Sequence, residues 1–171
     1  ADGAHLGTVG KADCTSGHGD GQFYFPMGLC VVAGALYVCD NGNNRIVVLD
    51  TDLSWRYTIR RRGSGDGEFE WPRTVAAHGG ELYVVDEGNH RVQARRLHPA
   101  APSPARHAPP RLPRQAFAPD RHGRMRFARA FGGLGDAPGQ FQFPHGVAVV
   151  RGFLVAFSYS PLPAPATLPY L

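Results

Sequence analysis

One short pattern occurs three times in the chain, and a sequence that repeats itself at a spacing of roughly 20 to 50 residues is committed to a repeat architecture before any other feature is weighed. Gly19-Asp20-Gly21-Gln22-Phe23-Tyr24-Phe25-Pro26 returns as Gly65-Asp66-Gly67-Glu68-Phe69-Glu70-Trp71-Pro72, and again, two residues longer, between Gly135 and Pro144. Pro26 and Pro72 are 46 positions apart, and Pro72 and Pro144 are 72 apart. After each proline the match runs on without a gap. Leu36-Tyr37-Val38-Cys39-Asp40 aligns with Leu82-Tyr83-Val84-Val85-Asp86 and, more loosely, with Leu154-Val155-Ala156-Phe157-Ser158.

Within one copy the apolar segments are about five residues long, rich in Val, Leu, Cys and Tyr, and bounded by glycine-containing breaks. Such segments are too short for helices and have the composition of buried strands. Strands are expected near residues 28–32, 35–39, 45–49 and 55–61, with tight hairpins at Ala33-Gly34 and Gly79-Gly80. The Asp40-to-Asn44 segment suits a longer turn, in which Asp40 accepts backbone N–H bonds and an Asn takes the left-handed conformation. Four antiparallel strands in about 45 residues, repeated, make the arithmetic of a β-propeller blade.

The composite Gly-x-Gly-x-Phe-x-x-Pro-x-Gly-Leu followed by Leu-Tyr-Val-x-Asp-x-x-Asn-x-Arg-Ile, read from residues 19–29 and 36–46, resembles the NHL repeat. Residues 65–92 match nearly as well, and the likeness extends over roughly residues 5–157. The expected fold class is therefore all-β, a partial NHL-type propeller of two to three four-stranded antiparallel blades in an open arc. Residues 1–16 are expected to hold an outer strand of a preceding blade (His5 to Val9) and a linker. Repeat 1 covers 17–62, repeat 2 covers 63–131, a partial repeat 3 covers 132–157, and a Pro-rich tail covers 158–171, with residues 124–131 as the outer strand that precedes repeat 3. The resemblance implies rings of about six blades, so a fragment of a larger protein is the expectation, with further blades coming from missing sequence or from self-association.

Repeat 2 carries a Pro- and Arg-rich insertion at about 98–123. Its prolines deny it regular hydrogen bonding, and Arg106, Arg111, Arg114, Arg121, Arg124 and Arg126 make the loop basic. The chain is −5 from Ala1 to His90 and +9 from Arg91 to Leu171, so its net charge of +4 conceals a local basic excess. Arg is abundant alongside Ala, Gly and Pro while Lys occurs once, which is the mark of coding bias as much as of nucleic-acid binding. Cys14, Cys30 and Cys39 have no metal-ligand spacing, and Cys30 and Cys39 read as buried thiols. No apolar run approaches the roughly 20 residues of a membrane span. Location stays open, with the cytoplasm favoured.

Propeller ligands gather where the innermost strands begin. The residue after each repeat proline points there, which singles out Met27, Arg73 and His145 as binding positions. The peptidyl-hydroxyglycine lyases, similar NHL-like enzymes, present a Pro-His histidine to zinc, as Pro144-His145 would; but zinc needs about three nitrogen ligands, and Met27 and Arg73 cannot replace them. No metal or other cofactor is expected. Asp40, Asn43 and Arg45, with Asp86, Asn89 and Arg91, are implied by the resemblance to organise the hairpin and the blade contact rather than to act as bases. No nucleophile elbow, phosphate loop or metalloprotease motif occurs. The expected function is a non-catalytic module that binds a protein partner. The alternatives are RNA binding, as in the propellers of tripartite-motif ubiquitin ligases, and a zinc-dependent lyase or related propeller hydrolase.

Overall fold

The computed structural model describes residues 7–10, 16–97, 125–158 and 166–168. They form three antiparallel sheets that do not close into a ring. The first sheet is β1 (Pro26–Val32), β2 (Ala35–Asp40), β3 (Arg45–Asp50) and β4 (Trp55–Arg60), in sequential order. The second repeats it with β5 (Pro72–His78), β6 (Glu81–Asp86), β7 (Arg91–Leu97) and β8 (Met125–Gly132). The third holds β9 (Pro144–Val150), β10 (Phe153–Ser158) and the short β11 (Ala166–Leu168), which pairs with β10 from Leu154 to Ala156. The molecule is a partial all-β propeller.

The hairpins form where a two-residue loop can take positive φ twice. Ala33 and Gly34 have φ of 50° and 70°, and Gly79 and Gly80 have 56° and 77°. That is the primed turn whose twist matches the flanking strands. The second connection in each sheet is a single 3-10 turn, Asn41–Asn43 or Glu87–Asn89, closed by a left-handed residue, Asn44 or His90.

β6 shows why the apolar runs are continuous rather than alternating. Leu82 and Val84 face the first sheet and pack with Tyr37, Cys39, Ile46 and Val48. Tyr83 and Val85, one residue out of phase, face the third sheet and pack with Leu154 and Ala156. A middle sheet buries both faces, so every position of its inner strands wants an apolar residue. Each core is plugged from the connecting loop by a phenylalanine: Phe69 between the first two sheets, Phe141 between the second and third.

Gly132, at the end of β8, has φ +92°, and a Cβ there would lie 2.3 Å from the buried ring of Phe141. Gly132→Ala is expected to cost about 3 kcal/mol from the backbone strain and the displaced ring, read as a lower midpoint in urea denaturation. On the outer side, Arg129 of β8 reaches across β7 to Glu81 with two bonds of 2.9 and 2.8 Å, and Tyr83 donates to the same carboxylate at 2.8 Å. Burial by itself would raise the Glu81 carboxyl, but the bonds from Arg129 and Tyr83 outweigh it and hold the group below its ordinary range. Burial and the Glu81 bond push the Tyr83 phenol up to about 12.

Several segments differ from the sequence expectation or fall outside the description. Residues 7–9 take no strand conformation, and His5 and Leu6 lie outside the described residues. The segment beyond Ser158, read as a Pro-rich tail, contributes β11, which extends the third sheet at the position of β3 and β7. Arg106, Arg111, Arg114, Arg121 and Arg124 lie outside the described residues. Arg126 belongs to β8, in register with Arg96, and not to a loop, because the ladder from Arg91 to Leu97 continues past it to Met125. Cys39 is buried and Cys30 half-buried, both as free thiols, and burial pushes the Cys30 thiol up to about 11. Cys14 is outside the described residues. No described helix is long and apolar enough to cross a membrane.

Candidate binding face

The loops that lead into the inner strands are fixed by a polar lock in the hairpin that follows them. Asp40 sits at the end of β2 with no exposed surface, and its Oδ2 accepts from Arg45 Nε at 2.6 Å and from Asn43 Nδ2 at 2.8 Å. Its Oδ1 accepts the backbone N–H of Tyr24 at 2.7 Å, so the backbone N–H it takes belongs to a distant loop and not to its own turn. The remaining Arg45 nitrogens donate to the carbonyls of His18, Gly19 and Gln22. A fork of five donors fits such a spread of acceptors, and an ammonium would not.

The second repeat builds the same lock. Asp86 takes Arg91 Nε at 2.8 Å, Asn89 Nδ2 at 2.9 Å and Glu70 N–H at 2.7 Å, while Arg91 donates to the carbonyls of Gly65 and Glu68. Gln93, fully buried on β7, adds bonds to Asp86 and to Gly67 N–H. In the third repeat Ser158 occupies the aspartate position, and its hydroxyl accepts the Gln142 N–H at 2.8 Å. A serine thus keeps one of the bonds that Asp40 makes, without a charge for an arginine to answer.

Above this lock lie the starts of β1, β5 and β9, which run side by side. The structure brings Arg73 and His145 together through a residue that the sequence did not single out, Glu87. Arg73 Nη1 lies 3.0 Å from both Glu87 oxygens, and His145 Nε2 lies 3.2 Å from Oε1. A carboxylate only accepts, so the contact assigns a proton to Nε2 of His145. Met27 is exposed and outside this cluster. Among the described residues no three His, Cys, Asp or Glu side chains stand close enough to hold a metal ion.

Beside the cluster stands an aromatic series. The residue before each repeat proline is Phe25, Trp71 or Phe143, with φ of 50°, 53° and 49° and exposures of 62%, 46% and 46%. A bulky residue with positive φ is strained, and the residue before a proline is restricted further. The preceding blade supports the strained residue: Asn44 Oδ1 accepts the Trp71 N–H at 2.9 Å, and His90 Nδ1 accepts the Phe143 N–H at 3.0 Å. The His90 ring also meets Phe143 edge-on at 4.5 Å. To one side, an open cleft of about 530 Å³ is lined by His18, Asn43, Arg45, Arg61, Arg62 and Glu68. Its Arg45 is consumed by the lock.

A family model described as NHL repeat matches residues 23–49 and 69–94. These spans run from the loop phenylalanine through the Asp–Asn–Arg lock of each complete sheet. The two matched spans are NHL repeats. The third sheet, with Ser158 for aspartate, lies outside the matched residues, which agrees with its loss of the lock arginine. No curated protein matches the chain.

Within these two repeats, sequence reasoning passed over Glu87, Gln93 and the aromatic series; it expected a left-handed Asn in the first turn, which is Asn44, but not the bonds that Asn44 and His90 make to the next blade. The aromatic series had a visible signal: all three copies place an aromatic directly before the proline. Asn44 and His90 share only the capacity to accept a hydrogen bond, and Glu87 aligns with Asn41, which instead bonds the Pro72 carbonyl at 3.4 Å.

Proposed function

We propose that this propeller arc is a non-catalytic protein-binding module whose contact face is the aromatic series together with the Arg73–Glu87–His145 cluster. NHL repeats support a propeller-type interaction module at the coarse level. The observation that carries the finer reading is the exposure of Phe25, Trp71 and Phe143 in a strained backbone conformation at equivalent positions. Strain of this kind costs about 1–3 kcal/mol per residue and concentrates where a fold displays side chains to ligands. Aromatic rings beside an arginine are the composition of interface hot spots. The charged cluster between them gives a partner's polar groups a fixed set of donors and acceptors.

The test is selection from a displayed peptide library, followed by titration of the winning peptide in a Trp55→Phe background, where Trp71 is the remaining tryptophan. Binding should shift Trp71 emission, and Phe143→Ala should weaken affinity about tenfold or more. A peptide that binds without either response would place the contact elsewhere. Tight RNA binding that collapses with added salt would replace this reading with the nucleic-acid one.

A further inference from the structure

We infer that the outer face of the third blade is a docking surface for the first blade of a second copy of the same chain, in a head-to-tail contact. This rests on the lateral faces and is independent of the reading of the axial face above.

The contact it requires is already made twice within the chain. Where the first blade meets the second, Tyr37 and Cys39 pack against Val75, Leu82 and Val84. Where the second meets the third, Tyr83 and Val85 pack against Leu154 and Ala156, with Val147 and Val149 beside them. Each interface therefore has a leading side, built from positions equivalent to Leu29, Val31, Leu36 and Val38, and a trailing side, built from positions equivalent to Ala35, Tyr37 and Cys39.

The chain presents one partly uncovered example of each side; on the leading one β1 is bare while Val38 of β2 is buried. On the leading side, Leu29 is 61% exposed and Val31 65%, whereas the equivalent Val75 is 5% exposed. Farther out on that face, Val47 and Leu49 are buried, so the bare part is the inner-strand portion. On the trailing side, Phe153 is 50% exposed and Phe157 54%, where the equivalent Ala35 and Cys39 are 1% and 0%. Phe153 pairs in register with Val150, itself 52% exposed, so the three rings and branches share a face.

The backbone agrees. Gly28 approaches the second blade so closely that a Cβ would lie 2.6 Å from Thr74 Cα. Gly146 occupies the equivalent place on the trailing side, where a Cβ would meet nothing nearer than the Phe157 ring at 3.5 Å. The surface that best fits a trailing side is a leading side with apolar residues at the Leu29 and Val31 positions, and this chain carries one. A heterologous contact of this kind closes into a ring or extends, according to the rotation per copy.

The test is sedimentation of the whole chain at high micromolar concentration, with two variants: Leu29→Arg/Val31→Arg on the leading side and Phe153→Arg/Phe157→Arg on the trailing side. The wild type should sediment above its single-chain mass of 18.5 kDa. Each variant alone should lose closed or extended assembly, and an equimolar mixture should recover a dimer, because each partner then contributes its intact side. A monomeric wild type overturns the inference, as does assembly that survives both variants, or a mixture that fails to recover. Should circular dichroism show a variant unfolded, hydrogen exchange of the wild type across a dilution series decides. Concentration-dependent protection confined to β1 and β10 supports the contact, and its absence there overturns it.

Discussion

Asp40→Ala is expected to destabilise the chain by about 3–5 kcal/mol, because it strands a buried guanidinium. Asp40 and Arg45 have side-chain exposures of 0% and 2%, and their contact is 2.6 Å. Removing the carboxylate leaves the Arg45 charge without its counter-ion, and it orphans the Tyr24 N–H and takes one of the two bonds from the Asn43 amide at the same time. Against a typical domain stability of about 5–15 kcal/mol, that is a large share. Chemical denaturation followed by circular dichroism measures it. Asp86→Ala should cost less, since Arg91 is 13% exposed and can hydrate. In an Arg45→Met background, Asp40→Ala should lose much of its effect, because no buried charge is then left unpaired. Equal costs in both backgrounds would show that the carboxylate acts through the loop N–H and not through the ion pair.

Phe141→Ala should cost a similar amount, about 3–5 kcal/mol, through the cavity left in a core that cannot collapse onto it. The ring is 1% exposed and plugs the space between the second and third blades, where the N–H and carbonyl of the same residue are tied to Gly133 and Gly135. The loop is thus held on both sides of the cavity. Phe23→Ala, at the equivalent position in the first repeat, should cost clearly less, since Phe23 is only half-buried. The Phe141 variant also has a diagnostic coupling. A Cβ at Gly132 would strike the Phe141 ring, so Gly132→Ala should be cheaper once the ring is gone. Additive costs would mean that backbone strain at Gly132, not the ring, dominates.

The sheets were legible in the sequence because each blade is a local object. Hairpin breaks, five-residue apolar runs and the turn after Asp40 or Asp86 all lie within one 46-residue period, and β8 was readable as the counterpart of β4 across a long insertion. The site was less legible because it is assembled between periods. Arg73 and His145 are 72 positions apart and meet only through Glu87, whose counterpart in the first repeat is an asparagine. The acceptors beneath Trp71 and Phe143 are an amide in one blade and an imidazole in the next. What the repeat preserves there is a backbone conformation and a lone pair, and neither is spelled by a constant letter. β11 escaped notice because prolines around it hide a three-residue pairing that only the neighbouring strand defines.

The polar lock also decides where such a chain can grow over evolutionary time. Arg45 must reach back to residues 18–22, and Arg91 to residues 65–68. Extra length between an inner loop and its hairpin would pull these donors away from the carbonyls they hold in place. In the first blade none of the Arg45 bonds goes to the connection between the third and outer strands. That connection is residues 51–54 in the first blade and residues 98–124 in the second, and loop-closure entropy rises only slowly with length. Gene segments inserted at that outer rim are therefore tolerated, while the same segments nearer the axis would be purged.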